Sequence, residues 1–168
     1  SKFTSWIKSK GWAYFSYQLE VLNQINNNKD VLVLSPTGSG KTIAGFLPSI
    51  IDIENIKKNS LHTLYISPLK SLGYDIERNL LQPINELNLN ISISVRTGDT
   101  SSYLKKKQSK YPPNFLITTP ESFALLMSYV NAKEYFNTLK FIIIDELHNI
   151  IHTKRGDLLS LNLSRLNG

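Results

Sequence analysis

The sequence predicts an α/β domain in three layers, a mostly parallel central sheet with helices on both faces. Three observations predict it. Short runs rich in Val, Ile and Leu alternate with longer stretches of helical periodicity. A glycine-rich loop, Ser35–Thr42, joins one such run to a helix, and another run, Phe141–Ile144, ends in two acids. Strands separated by helices imply crossover connections, which bury a parallel sheet on both faces.

The elements follow in chain order. Ser5–Lys10 reads as a short helix stopped by Gly11, and Ser16–Asn27 as a second, with Leu19, Leu22 and Ile25 near helical spacing. Asp30–Leu34 is a compact apolar strand. Lys41–Lys57 reads as helix, Leu61–Ser67 as strand, Ser71–Leu87 as helix and Ile91–Arg96 as strand. Ser101–Lys110 is a polar, basic helix or loop closed by Pro112-Pro113. Phe115–Thr118 is strand, Glu121–Val130 helix and Leu139–Asp145 a strongly apolar strand. Leu158–Leu166 closes as a leucine-striped helix. No repeat or low-complexity tail interrupts this order, so residues 1–168 read as one domain, with helices over 1–29 in front of the first strand.

Composition narrows the function classes. The chain has 168 residues, 41% of them hydrophobic and 19% charged, which is ordinary for a globular domain. No apolar run approaches the roughly 18 residues of a membrane-spanning helix. Cysteine is absent, which excludes disulfides, thiolate nucleophiles and Cys-based zinc sites and fits a cytoplasmic setting. Lys+Arg number 19 against 13 Asp+Glu, a net charge of +6. Such a surface suits a polyanion, because binding a phosphate backbone releases counterions.

Ser35–Thr42 reads SPTGSGKT, between the Asp30–Leu34 strand and a helix. That is the context of a phosphate-binding P-loop. At Gly38 and Gly40 no Cβ blocks the approach of backbone N–H groups to phosphate oxygens, and Thr37 and Ser39 complete the loop. The helix that follows points its positive end at the same phosphates. Lys41 supplies a point charge to the β- and γ-phosphates of ATP, and the Thr42 hydroxyl a ligand to Mg²⁺. Ser35 stands where the strict pattern has Gly.

Phe141–His148 reads FIIIDELH. Strands of an open α/β sheet deliver their ligand-binding residues at their carboxyl ends. Asp145 is placed there to hold Mg²⁺, and Glu146 to polarise the attacking water as general base. An acidic helix N-cap is the simpler alternative for the same pair. His148 follows at motif spacing, whereas His62 and His152 read as packing residues.

Together SPTGSGKT and DELH resemble motifs I and II of superfamily 2 helicases of the DExH type. ISPLKSLGYDI (Ile66–Ile76), RTGDT (Arg96–Thr100), PPNFLITTPESFALL (Pro112–Leu126) and KRGDLLSLNLSRL (Lys154–Leu166) are similar to the large helicase-related family, most of all to its ligase-associated DExH-box branch. The resemblance covers essentially the whole chain. It implies the first RecA-like domain, a P-loop NTPase fold, of an ATP-driven DNA or RNA translocase, tipped towards DNA repair. Gln18 matches the glutamine that reads the adenine edge, with Phe3, Trp6 and Trp12 as candidate stacking aromatics. His148 belongs to the nucleotide motif. Pro68, Lys70, Gly98, Asp99, Thr119, Pro120 and Glu121 match motifs that hold the nucleic-acid backbone. Arg155 either reaches nucleic acid or caps the DELH segment. Glu121-Ser122 departs from the Gly-Arg that many RNA helicases carry there.

Blander alternatives stand beside these. Pro68 and Pro120 also suit strand ends, Gly98-Asp99 a plain turn, and Lys105-Lys106-Lys107 with Lys110 a solvated helix face. The Ser-Ala-Thr motif III and a second RecA-like domain are not in the sequence, so a fragment that binds ATP weakly and hydrolyses it poorly is expected. A nucleotide-switched nucleic-acid-binding module without unwinding activity is the alternative function. Oligomeric state is open.

Overall fold

The computed structural model describes residues 2–9, 46, 49–53, 60–68 and 70–144, with residues 2–4, 7, 70–72 and 79 described only in their backbone. The chain divides into two compact units, Ser1–Ile56 with Pro83–Leu89, and Lys57–Gln82 with Asn90–Gly168. The expected elements Ser16–Asn27, Asp30–Leu34 and Leu158–Leu166 lie outside the described residues.

In the first unit, helix α1 (Lys2–Ser9) starts before the expected Ser5. It also stops before Gly11, where the Ser9 hydroxyl turns back to donate to the Trp6 carbonyl at 2.7 Å. Residues 46 and 49–52 are helical, in agreement with the helix expected over Lys41–Lys57. Trp6, Phe46, Ile50, Ile53 and Ile84 are buried here. The Trp6 indole N–H donates to the Glu86 carboxylate at 2.6 Å. A buried Trp6 offers no open face for an adenine; the Phe3 side chain and Trp12 lie outside the described residues.

Helix α2 (Lys70–Glu86) carries Pro83 inside it and contributes its last turn to the first unit. It ends where Asn88 takes φ 50°. The Leu89 N–H reaches the Ile84 carbonyl at 2.9 Å and the Asn88 N–H the Asn85 carbonyl at 3.1 Å. Those two bonds satisfy carbonyls that a helix end leaves orphaned, and Asn tolerates the left-handed turn better than most residues.

The second unit is built on a sheet of strands β1 (Thr63–Ile66), β2 (Ile93–Arg96), β3 (Phe115–Thr118) and β4 (Phe141–Ile144). All three pairings are parallel, in the order β2-β3-β1-β4. Ile66 lies opposite both Thr118 and Ile144, and Arg96 opposite Thr118, so the four strands end level. On one face Leu64, Ile66 and Leu116 pack against Phe123, Leu126, Tyr135 and Phe136. On the other lies α2, so close that a Cβ on Gly73 would stand 3.1 Å from Ile117 Cγ2. Alternate side chains along each strand face opposite ways, which is how one sheet feeds two cores.

Helices α3 (Ser102–Lys110), α4 (Pro120–Met127) and α5 (Ala132–Phe136) complete the described elements. The helix expected over Glu121–Val130 is α4, which stops at Met127, and α5 is a second helix beyond Val130 that was not expected. The first ends at Ser128, whose hydroxyl donates to the Leu125 carbonyl at 2.7 Å and whose N–H is shared between the Ala124 and Leu125 carbonyls. The second is too short for helical periodicity to reveal, and packs Phe136 edge-on to Phe123 at 5.8 Å. Strand β1 is shorter than Leu61–Ser67 because the N–H groups of His62 and Thr63 both bond the Asn114 carbonyl, at 2.9 Å each. His62 is a buried packing residue, as expected, with its ring 5.2 Å from that of Phe141. Among the described residues no helix is long and apolar enough to cross a membrane.

Candidate functional site at the carboxyl edge of the sheet

Because the strands are parallel and end level, the residues that follow them share one edge. Ser67-Pro68 follows β1, Thr97–Thr100 follows β2, Thr119-Pro120 follows β3, and Asp145 comes next in sequence after β4. Three segments expected to carry function, at Ser67-Pro68, Thr97–Thr100 and Thr119-Pro120, thus form one row of loops. Open α/β sheets bind their ligands in this place.

Short hydrogen bonds tie the bases of these loops together. The Ser67 N–H donates to the Thr118 carbonyl at 3.0 Å. The Thr118 hydroxyl donates to the Arg96 carbonyl at 2.7 Å, joining the ends of β2 and β3. In the next loop the Thr97 N–H donates to the Thr100 hydroxyl at 2.9 Å, and the Asp99 N–H to the Thr97 hydroxyl at 3.2 Å. Thr97 and Thr100 are buried by this, and Gly98 and Asp99 are left exposed at the tip. Hydroxyls that close short turns onto the backbone are common in such segments.

Thr119 is the N-cap of α4, with φ −99° and ψ 160° and its hydroxyl accepting from the Ser122 N–H at 3.3 Å. Pro120 occupies the first helical position, where its missing N–H costs nothing. Glu121 is exposed in the first turn, where a carboxylate is favoured by the helix dipole. The helix therefore begins one residue before the expected Glu121.

The expected backbone-contacting residues fall into two groups. Gly98, Asp99 and Glu121 are exposed, whereas Pro68, Thr119 and Pro120 are buried. The side chains of the buried three shape the loops, and the Thr119 hydroxyl is committed to its helix. Lys70 begins α2 directly beyond Pro68, and its side chain lies outside the described residues. The P-loop residues Thr37, Gly38, Ser39, Gly40, Lys41 and Thr42 also lie outside them, as do Gln18, Asp145, Glu146, His148, His152 and Arg155.

Sequence reasoning passed over Arg96. It is 1% exposed although it carries a full charge. Its guanidinium donates to the Lys105 carbonyl at 3.1 Å, the Ser109 hydroxyl at 3.3 Å and the Tyr129 hydroxyl at 3.1 Å. It also lies 5.7 Å from the centre of the Tyr129 ring. No carboxylate neutralises it among the described residues. A buried cation is tolerated only when its donors are satisfied, and a guanidinium fork can satisfy several at once. Arg96 thereby fastens α3 and the end of α4 to the end of β2. The only local signal was a charged residue closing an otherwise apolar strand.

A polar pocket of about 330 Å³ lies at the opposite edge, lined by Ser60, Lys110, Glu134, Tyr135 and Thr138 among others. Its residues precede the strands, so it is separate from the loop row. Burial pushes the Tyr135 hydroxyl up to about 12, with the Arg96 cation opposing the rise.

A parallel α/β sheet whose functional loops gather past the carboxyl ends of its strands is the open α/β class of domain, and the solved helicase structures it matches make it RecA-like. Within that class the family is specific: residues 15–167 match the model of the DEAD/DEAH box helicases, and the chain belongs to this family. It is 43% identical over 166 residues to the ATP-dependent helicase Lhr-Core of Sulfolobus acidocaldarius, an alignment covering 92% of this chain and 19% of that protein. It is 40% identical to the Lhr-Core helicase of Methanocaldococcus jannaschii, over 96% of this chain and 21% of that protein. The structure of the Mycobacterium smegmatis helicase Lhr bound to ssDNA and AMP-PNP matches with a TM-score of 0.89 and 35% identity, covering 99% of this chain and 22% of that one. The kinship expected from motif order is borne out, and so is the fold. The chain spans about a fifth of the length of these relatives.

Proposed function

We propose that this chain is the ATP-binding motor domain of a nucleic-acid helicase or translocase, the first of two RecA-like domains, acting in the cytoplasm. The observation that carries the reading is the pairing of SPTGSGKT with DELH inside a region 43% identical to a protein named as an ATP-dependent helicase. Thr37–Thr42 cradle the ATP phosphates, with Lys41 as the counter-charge, and Gln18 reads the adenine. The Thr42 hydroxyl and Asp145 carboxylate are hard oxygen donors of the kind Mg²⁺ takes, and would hold it. Glu146 activates water, and His148 lies beside it in the nucleotide motif.

DNA or RNA runs along the carboxyl edge. Gly98, Asp99 and Glu121 touch the strand, Lys70 and Arg155 add charge, and Pro68, Thr119 and Pro120 hold the loops that do so. Carboxylates cannot favour phosphates, so Asp99 and Glu121 act as acceptors for base N–H groups. DNA is the preferred partner of the two. The neighbour seen with ssDNA and AMP-PNP supports both halves of the proposal.

Binding of a fluorescent ATP analogue and its hydrolysis test the nucleotide half. Lys41→Ala should abolish binding, and Glu146→Gln should retain binding while hydrolysis falls at least a hundredfold, in keeping with loss of a general base. Hydrolysis by Glu146→Gln at the parent rate would remove Glu146 from its role. Competition between oligodeoxythymidine and oligouridine decides DNA against RNA.

A further inference from the structure

Lys105, Lys106 and Lys107 are equivalent in the sequence, and the structure separates them. The Lys105 ammonium donates to the Gly98 carbonyl at 2.9 Å, closing the base of the Gly98-Asp99 turn. Lys105, Gln108 and Ser109 form the side of α3 that faces the sheet. Gln108 is 4% exposed, with its amide N–H groups on the Ser94 hydroxyl at 2.6 Å and the Val95 carbonyl at 3.0 Å. Ser109 receives Arg96.

That docking turns Tyr103, Lys106, Lys107 and Lys110 outward, at the i, i+3, i+4 and i+7 positions of a single helical stripe. Tyr103 is 76% exposed. Lys106 and Lys107 are exposed, and neither meets a carboxylate among the described residues. At the far end the Lys110 ammonium lies 5.4 Å from the centre of the Tyr111 ring, which is 50% exposed. The helix itself contains no acid.

We propose that this stripe is a nucleic-acid contact outside the motif loops, on which a single strand leaving the Gly98-Asp99 turn lays its phosphates against Lys106 and Lys107 and one base against Tyr103. The inference rests on the motor-domain reading above and extends its strand path. Charge complementarity carries it. The exposed functional side chains described at the loop tips are two carboxylates, Asp99 and Glu121, and the nearest lysine, Lys105, is turned onto a carbonyl. A polyanion crossing this edge needs cations, and Lys106 and Lys107 stand in the first turns of the helix that begins directly after the turn. Helix α3 rises about 10 Å between Tyr103 and Lys110, room for a few nucleotides at roughly 3.4 Å each. The stripe is also held in place, since contacts at Lys105, Gln108 and Ser109 fix the inner face of the helix behind Lys106 and Lys107. An exposed aromatic beside free lysines is the combination by which single strands are bound without reading sequence.

The test is the salt dependence of binding of the chain to fluorescein-labelled oligodeoxythymidine, followed by anisotropy. A plot of log K against log salt has a slope of about −0.7 per phosphate contact on single strands. The K106A/K107A variant should therefore flatten the slope by roughly 1.4. K106R/K107R should restore it, with thermal melting and ATP-analogue affinity unchanged in both. Tyr103→Ala should weaken binding about fivefold or more with the slope unaltered. Parent slope and affinity in K106A/K107A would overturn the proposal and leave the stripe a solvated face or a site for an acidic protein. A parent chain that does not bind the oligonucleotide even at low salt would instead overturn the motor-domain reading, and this contact with it.

Discussion

The two edges of one parallel sheet are built from similar polar residues and treat them in opposite ways. At the amino edge Asn114 is 2% exposed and bonded on every side. Its side-chain carbonyl accepts from the Ser92 N–H at 3.0 Å and the Ser92 hydroxyl at 3.1 Å, and its amide donates to the Ser60 carbonyl at 3.0 Å. The Thr138 hydroxyl donates to the Leu61 carbonyl at 2.7 Å, and the N–H groups of Lys140 and Phe141 reach the His62 carbonyl. Polar groups there are used to close the edge. At the carboxyl edge Thr97, Thr100, Thr118 and Thr119 are just as buried and just as bonded, yet each bond fixes the base of a loop whose tip, at Gly98, Asp99 or Glu121, is left in solvent. A hydrogen bond at the amino edge contributes stability alone, whereas one at the carboxyl edge also sets where a ligand-facing residue stands.

Mutations separate these two uses. The largest effect is expected for Asn114→Ala, which strands several buried partners at once and should cost about 3 kcal/mol or more, read by urea denaturation. Per folded molecule its affinity for oligonucleotide should stay at the parent value. A loss of affinity at full folding would break the contrast. Thr97→Val keeps the shape and removes the acceptor for the Asp99 N–H. It should cost about 1 kcal/mol in the same assay, and unlike Asn114→Ala it should also weaken oligonucleotide binding severalfold, because the Gly98-Asp99 tip loses its anchor.

The smallest effect belongs to Tyr135, whose buried hydroxyl finds no hydrogen-bond partner among the described residues. Tyr135→Phe should change stability at neutral pH by about 1 kcal/mol or less. The difference appears in alkali. The folded chain holds the Tyr135 proton more tightly than the unfolded chain, up to about 12 against an ordinary value near 10.0. Its contribution is therefore intact below about pH 10 and lost as the pH rises towards about 12. Tyr135→Phe should flatten that part of the stability profile. An alkaline limb identical in the two proteins would show that the hydroxyl is not the group responsible.

Much of the architecture was legible in the residues. β3 is found at its expected bounds, and α2 within a residue of them, because an apolar run between polar turns and a long amphipathic stretch are strong local signals. The N-cap at Thr119 was not read, and the helix was expected one residue late, at Glu121, although Thr-Pro-Glu is a helix-start pattern. The five residues of α5 were not legible, being shorter than two helical turns. The buried state of Arg96 was equally hidden. It depends on Tyr129, 33 residues away, and no local pattern reports a bond of that span.

By itself the sequence determined the alternation of strands and helices, and so a parallel sheet, together with the motif order that marks a helicase-family domain. Those are local properties, carried by periodicity and by spacing within a few residues. Tertiary structure decided which polar residues face inward. Helix α3 meets the sheet through Lys105, Gln108 and Ser109 instead of through apolar side chains, so no hydrophobic stripe in the sequence says which way it turns. Only Arg96 and the backbone of β2, brought beneath the helix by the fold, turn one lysine of three towards the sheet and leave the other two in water.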